Sequence, residues 1–146
     1  MREILFKAKR KDNGEWVEGY YCKTTIGNDV RPSDVIFVPF KVSRNEEWGS
    51  MKVDSDTLCQ YTGLTDKNGN KIWENDIISI NAYSYDEPED DYFGVVKYCE
   101  KDACWVLKNN ERFDEIICEC FGSYTTQMIN HGNIFDNPEL LEVEAR

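Results

Sequence analysis

Gln60-Tyr61-Thr62-Gly63-Leu64-Thr65-Asp66-Lys67-Asn68-Gly69-Asn70-Lys71-Ile72-Trp73-Glu74-Asn75-Asp76-Ile77-Ile78 is the most patterned stretch of the chain. Asn68-Gly69 is a tight-turn signal, because Asn and Gly tolerate positive φ. Asp76 to Ala82, DIISINA, reads as a strand. A turn, an aromatic anchor at Trp73 and a strand from Asp76 are the parts that set a hairpin's register. Glu74 and Asp76 flank Asn75 and point to one face of an extended chain. Their expected role is to cap a turn or stay solvated.

Working outward, similar turn chemistry recurs. Ile4, Phe6 and Ala8 alternate with polar positions, Asp12-Asn13-Gly14 is a turn, and Trp16, Val17, Tyr20 and Tyr21 carry the return strand of an N-terminal hairpin. Residues 24–32 read as a loop. Val35 to Phe40 is a short β-rich run, and Pro39, which has no N–H to donate, marks it as an edge strand or a strand end. Asn45 to Ser50 reads as a polar loop, and Val53 to Tyr61 as a weakly alternating strand. Residues 83–92 hold Asp86, Glu87, Glu89, Asp90 and Asp91 and are expected to form a solvated loop. Phe93–Cys99 and Cys104–Lys108 make a further hairpin. Phe113, Ile116, Ile117, Cys120, Phe121 and Tyr124 follow a helical stripe, though IICECF also reads as a strand; the expectation is a short helix. Gln127 to Phe135 is a strand interrupted at His131-Gly132. Pro138 opens a short helical turn over Glu139-Leu140-Leu141.

The 146 residues suit one domain or two small halves. The apolar fraction of 40% excludes wholesale disorder, and the formal net charge of −11 excludes a duplex binder held by phosphate neutralisation. No apolar run spans a membrane, and the first residues lack a signal-peptide core, so an intracellular protein is expected. Its six cysteines then read as free thiols.

The candidate chemistry is sparse. Cys99, Cys104, Cys118 and Cys120 with His131 lack the paired spacing of a zinc site. On a helix, Cys118 and Cys120 would lie about 200° apart. Asp66, Asn68 and Asn70 imitate the start of a calcium loop, but Lys71 and Ile77 stand where that loop requires Gly and Glu. No metal or cofactor is expected. His131 would have to serve any cysteine nucleophile, and no signature surrounds one. Trp16, Tyr20, Tyr21, Trp48, Trp73 and Trp105 are numerous enough for both a core and a stacking platform. Lys7, Lys9, Arg10 and Lys11 form the one basic contact patch, or else a charged edge that resists aggregation.

The patterned stretch resembles the signature of the YopX family, carried by Tyr61, Gly63, Asp66, Asn68, Gly69, Trp73, Glu74 and Asp76. The opening Met1-Arg2-Glu3-Ile4-x-Phe6-x-Ala8 is similar to that family's first strand. Gly132-Asn133-Ile134-Phe135-Asp136-Asn137-Pro138-Glu139-Leu140-Leu141 is similar to its closing motif. Asn75 stands where the family commonly has Gly. The resemblance implies small phage and prophage proteins of Gram-positive bacteria, resident in the host cytoplasm, with no established catalytic residue. The expected fold is mostly β: short antiparallel strands, an N-terminal hairpin region over 1–60, an SH3-like, barrel-like part over 61–146, and little helix. The expected function is a non-enzymatic interaction module that binds a host or phage protein, as a homo-oligomer in one form of the reading and by DNA mimicry in another. The alternative is a nucleic-acid-associated protein of phage replication or transcription control; an enzyme comes third.

Overall fold

The computed structural model describes residues 2–42, 45–84, 87–108 and 128–142. The chain divides into two compact units, Met1–Tyr61 and Thr62–Arg146. Both are built from antiparallel strands, and the fold is mostly β.

In the first unit, β1 (Phe6–Lys9) and β2 (Trp16–Thr24) form the N-terminal hairpin, with Phe6 opposite Gly19 and Lys9 opposite Trp16. The loop closes through Gly14 N–H to the Arg10 carbonyl, 3.0 Å, and Arg10 N–H to the Glu15 carbonyl, 2.9 Å. β3 (Ser33–Val42) pairs with β2, and β4 (Asn45–Lys52) pairs with β3. The first residues of β5 (Cys59–Thr65) pair with β1 on its other side. Ala8, Val17, Ile36 and Val53 are buried together, with Tyr21, Val38, Met51 and Leu58 packed against them. Those on strands fall on the inward half of the strand's alternation, and Val53 and Leu58 join them from either side of the turn that follows β4.

Three expectations change here. The polar stretch from Asn45 is the strand β4, not a loop. It sits at the end of the order β4-β3-β2-β1-β5, where charged residues on an outer strand blunt its unpaired edge. Pro39 does not mark an edge strand, because β3 has β4 beside it along its length. β2, however, stops pairing at Phe37, so Pro39 lies where β3 has only one neighbour. Val53 to Tyr61 is broken by a 3-10 turn at Ser55–Thr57. Asp54 caps that turn by accepting from Asp56 N–H at 3.0 Å, and the Thr57 hydroxyl accepts from Lys9 N–H at 2.8 Å. Side chains that satisfy the backbone locally outcompete a weak strand pattern.

In the second unit the later residues of β5 lead through a turn into β6 (Lys71–Trp73), then β7 (Asp76–Ser84), β8 (Glu87–Cys99), β9 (Cys104–Lys108) and β10 (Met128–Asn133). The sheet order is β10-β7-β8-β9. Among the described residues this sheet is open, with β10 and β9 at its edges, and no closed barrel forms. β7 is central and buried on both faces: Ile78 and Ile80 on one, Ile77 on the other. A near-continuous apolar run is what such a strand requires. Ile72, Ile78, Ile80, Val96, Leu107 and Met128 form the core, with Leu64 and Trp105 against it.

The acidic stretch also differs from expectation. It lengthens the β7–β8 hairpin, pairing Ala82 with Asp90 and Asn81 with Asp91; Asp86 lies outside the described residues. Pairing with β7 satisfies the backbone, so acidic composition does not prevent a strand. The expected interruption at His131-Gly132 is a bulge between Asn130 and Gly132 in the β10–β7 ladder. A four-residue helix, Glu139–Glu142, follows Pro138. The helix expected over 111–124 lies outside the described residues, with Cys118 and Cys120.

Asn75 holds the turn into β7 at φ +69°, in the left-handed region, and its side-chain oxygen accepts from the Lys97 ammonium. Asn is among the residues that tolerate this region, whereas Ala there costs about 1–2 kcal/mol. Asn75→Ala should therefore lower the unfolding free energy by about 1–2 kcal/mol, while Asn75→Gly should stay within about 1 kcal/mol of the parent. Urea titration followed by tryptophan fluorescence reads both.

Candidate functional site

The residues singled out in the sequence gather in the second unit around two buried carboxylates. Asp66 follows β5, and its backbone closes the turn: its N–H donates to the Asn70 carbonyl at 2.8 Å and its carbonyl accepts from Gly69 N–H at 3.0 Å. Gly69 takes φ +81°, which a Cβ would strain. The Asp66 carboxylate turns inward. Oδ1 accepts from the Asn68 and Asn70 N–H groups, each at 2.9 Å. Oδ2 accepts from the Asn130 N–H at 3.0 Å, across 64 positions of sequence. Burial alone would push this carboxyl up. The N–H groups of Asn130, Asn70 and Asn68, with the Asn70 amide, outweigh that and hold it below the usual carboxylate range.

Asp76 is the second. It is 2% exposed, and its Oδ2 accepts from Trp73 N–H at 2.8 Å and from the Asn130 amide at 2.7 Å. The Asn130 amide also donates to the Lys71 carbonyl, 3.2 Å, and its oxygen accepts from Gly132 N–H, 3.0 Å. Asn130 thus joins both carboxylates to β10. Trp73 is buried beside this turn, and Glu74 is half-buried. Thr62 donates to the Ile72 carbonyl at 2.7 Å next to Gly63, whose φ is +87°. Tyr61, at the end of the first unit, is buried and donates its N–H to the Leu5 carbonyl at 2.8 Å.

The closing motif makes a second knot. The Asn133 side-chain oxygen accepts from Phe135 and Asp136 N–H, each at 2.9 Å, and Asn137 exchanges bonds with the Asn133 backbone. Ile134 N–H donates to the Asn75 carbonyl at 3.1 Å, tying this block to the turn before β7. Gly132, at φ +133°, lies so close to Asn137 that a Cβ would stand 2.1 Å from its side-chain oxygen. Pro138 is exposed and precedes the terminal helix. The arrangement is a scaffold: both carboxylates accept from backbone N–H groups near the turns and from Asn130 of β10.

Asn130 was invisible to sequence reasoning. Nothing local distinguishes it from the chain's other asparagines, and its partners are 54 to 64 positions away. The same holds for the pair formed by the Ser79 hydroxyl and His131 Nε2, 2.7 Å apart at the surface. Phe93 lies 6.1 Å from the imidazole, and no acceptor for its other nitrogen is present among the described residues. Among those residues no three His, Cys, Asp or Glu side chains come together to hold a metal ion.

The basic patch lies in the first unit. Lys7 and Lys9 project from the outer face of β1, with their ammonium groups 4.7 and 5.3 Å from the centre of the Trp16 ring. Glu18 stands opposite Lys7 in the ladder. Arg10 is clamped by both oxygens of Asp12, at 2.9 and 2.5 Å, while Lys11 is exposed. Lys7 and Lys9 therefore share a face of mixed charge with Glu18, whereas Arg10 and Lys11 lie beyond the end of β1. Of the aromatics, Tyr20 is exposed on that face. Tyr21 turns inward, its hydroxyl donating to Asp34 at 2.5 Å and its ring 5.7 Å from Phe6. Trp105 packs on the second core, and Trp48 lies in β4.

These features define a class: a small β protein of two antiparallel units, the second built around a buried Asp/Asn network and the first carrying aromatic side chains on its hairpin. Residues 5–142 match the family described as YopX protein, and the chain belongs to that family. The crystal structure of protein EF1440 from Enterococcus faecalis is similar over 97% of this chain and 99% of that one, with 23% identity and a TM-score of 0.54. That likeness establishes a shared fold. No curated protein sequence matches.

Two outcomes test the scaffold. A carboxyl whose folded pKa is depressed stabilises above its unfolded pKa, about 3.9, and that contribution is lost as pH falls through the folded value. Asp66→Asn should therefore flatten the fall in stability below about pH 4, and it should lower stability at pH 7 by about 1–3 kcal/mol through unmet N–H donors. Denaturant titrations from pH 7 to pH 2 read both. Gly132→Ala should cost about 2 kcal/mol or more, because the methyl group displaces the Asn137 side chain. Thermal unfolding followed by circular dichroism checks it.

Proposed function

We propose that this YopX-family chain is a phage- or prophage-derived, non-enzymatic interaction module that binds a protein partner in the bacterial cytoplasm. The observation that carries this reading is the outer face of the β1–β2 hairpin. Trp16 and the exposed Tyr20 stand there with Lys7, Lys9 and Glu18. Trp and Tyr dominate the energetics of protein interfaces, because each buries a large rigid surface at small entropic cost. The commitment of Asp66 and Asp76 to structural donors supports a non-enzymatic reading. In this reading the partner is a host or phage protein, and self-association into a homo-oligomer is one mode of use. No helix among the described residues is long and apolar enough to cross a membrane. The reading keeps an SH3-like, barrel-like second unit; what supports it is that every strand pair of that unit's sheet is antiparallel.

The second reading is a nucleic-acid-associated protein, favoured by Lys7, Lys9 and Lys11 beside two aromatics. Against it stand Glu18 opposite Lys7, Asp12 on Arg10 and the net charge of −11, since phosphate binding needs a net positive groove.

The test is a tagged capture from host lysate with and without nuclease, using the parent, Trp16→Ala, Tyr20→Ala and Lys9→Glu. A stoichiometric protein that survives nuclease and is reduced about tenfold or more by Tyr20→Ala or Trp16→Ala is expected. Recovery that vanishes with nuclease, falls steeply with salt and is abolished by Lys9→Glu reverses the ranking. Recovery unaffected by all three variants removes this face from the reading.

A further inference from the structure

Cys99 and Cys104 occupy the last rung of the β8–β9 ladder, directly opposite each other, on either side of the four-residue loop Glu100–Ala103. Directly opposed residues of an antiparallel pair have Cα atoms about 4.5 to 5.5 Å apart and side chains on the same face. That span lies within the roughly 4.4–6.8 Å a disulfide bridges. Both thiols are free in this structure. Cys99 is half-buried and Cys104 buried. The Cys99 thiol is held on the loop side, donating to the Asp102 carboxylate at 3.6 Å. Ala103 sits at φ +53°, so the loop already carries a residue outside its preferred region.

We propose that Cys99 and Cys104 form a reversible cross-strand disulfide, an oxidative modification site at the tip of the β8–β9 hairpin. The oxidant is a low-molecular-weight disulfide. The Cys99 sulfur, as thiolate, attacks one sulfur of that disulfide, forming a mixed disulfide and expelling one small thiolate. The Cys104 thiolate then attacks the Cys99 sulfur, closing the Cys99–Cys104 bond and expelling the second. Two electrons pass from the cysteines to the oxidant, which is reduced to two thiols that carry away the two protons. Cys99 attacks first because it is the accessible one.

Reversibility follows from position. The bond closes a very short loop, so it removes little entropy from the unfolded chain. The half-buried Cys99 sulfur stays within reach of small thiols, and a bridge open to them is the more readily reduced one. Oxidation also takes the Cys99 sulfur off Asp102. The next rung is Tyr98 opposite Trp105, rings 5.1 Å apart and edge-on, with Tyr98 44% exposed. That pair lies on the opposite face of the ladder from the two cysteines, and this inference does not depend on the functional reading above.

The experiment incubates the full chain in buffers of graded glutathione to glutathione-disulfide ratio, quenches with acid and an alkylating reagent, and maps peptides by mass spectrometry. The expected product is a Cys99–Cys104 linked peptide in about tenfold excess over any other pairing, removed when reduced glutathione is restored. Cys104→Ser should instead accumulate a glutathione adduct on Cys99. Cys99→Ser, which changes the half-buried member, should leave Cys104 unmodified; circular dichroism verifies that each variant is folded. Two outcomes overturn the proposal. One is Cys99 and Cys104 both alkylated under conditions that already modify the exposed Cys22. The other is Cys99 linked mainly to a different cysteine.

Discussion

A single asparagine side chain and its own N–H, meeting two buried carboxylates, hold the second unit together. Asn130 donates its backbone N–H to Asp66 and its amide to Asp76. A buried carboxylate without donors would lose its hydration at a cost of several kcal/mol. Here the donors are backbone N–H groups of a tight turn and of β10, so the charge is solvated by the fold itself. The same bonds fix where β10 lies against β7, because Asn130 is opposite Ile78 in the ladder and begins the bulge at His131. Shift β10 by one residue and the core would lose Met128 while both carboxylates lost Asn130.

This arrangement gives the polar residues of the family stretch a structural purpose. Asp66 closes a turn, Asp76 caps the next through the N–H of the buried Trp73, and Asn75 reverses the chain in the left-handed region. Asn133 and Asn137 repeat the device at the closing motif, where amide groups serve as local acceptors for backbone N–H groups. Polar residues appear buried because each is satisfied, which is the condition for burying them at all. The outer face of the β1–β2 hairpin carries Trp16 and the exposed Tyr20.

Much of the fold was legible. Asn13-Gly14 and Asn68-Gly69 announced turns, Ile4 to Ala8 and Asp76 to Ala82 announced strands, and Pro138 announced the last helix. The N-terminal, β7 and β8–β9 hairpins rest on such local signals. The errors share one cause. Asn45–Lys52 and Glu87–Asp91 are strands of polar composition, made so by pairing with β3 and β7 rather than by their own pattern. The turn at Ser55–Thr57 went the other way: Asp54 and Thr57 satisfied the backbone locally and broke a stretch that alternation favoured. Of the candidate residues, the sequence marked Asp66 and Asp76 but not Asn130, and marked Lys7, Lys9 and Arg10 but not the Glu18 and Asp12 that temper them.

By itself the amino-acid sequence determined the turns, the β character, the acidic balance and membership in a family, because φ preference, side-chain period and charge are properties of residues and near neighbours. Only the tertiary structure decided which polar groups are buried and which distant strands lie side by side. Those depend on ladder register and on bonds such as Asn130 to Asp66, which join positions 64 apart; no local rule carries information over that distance.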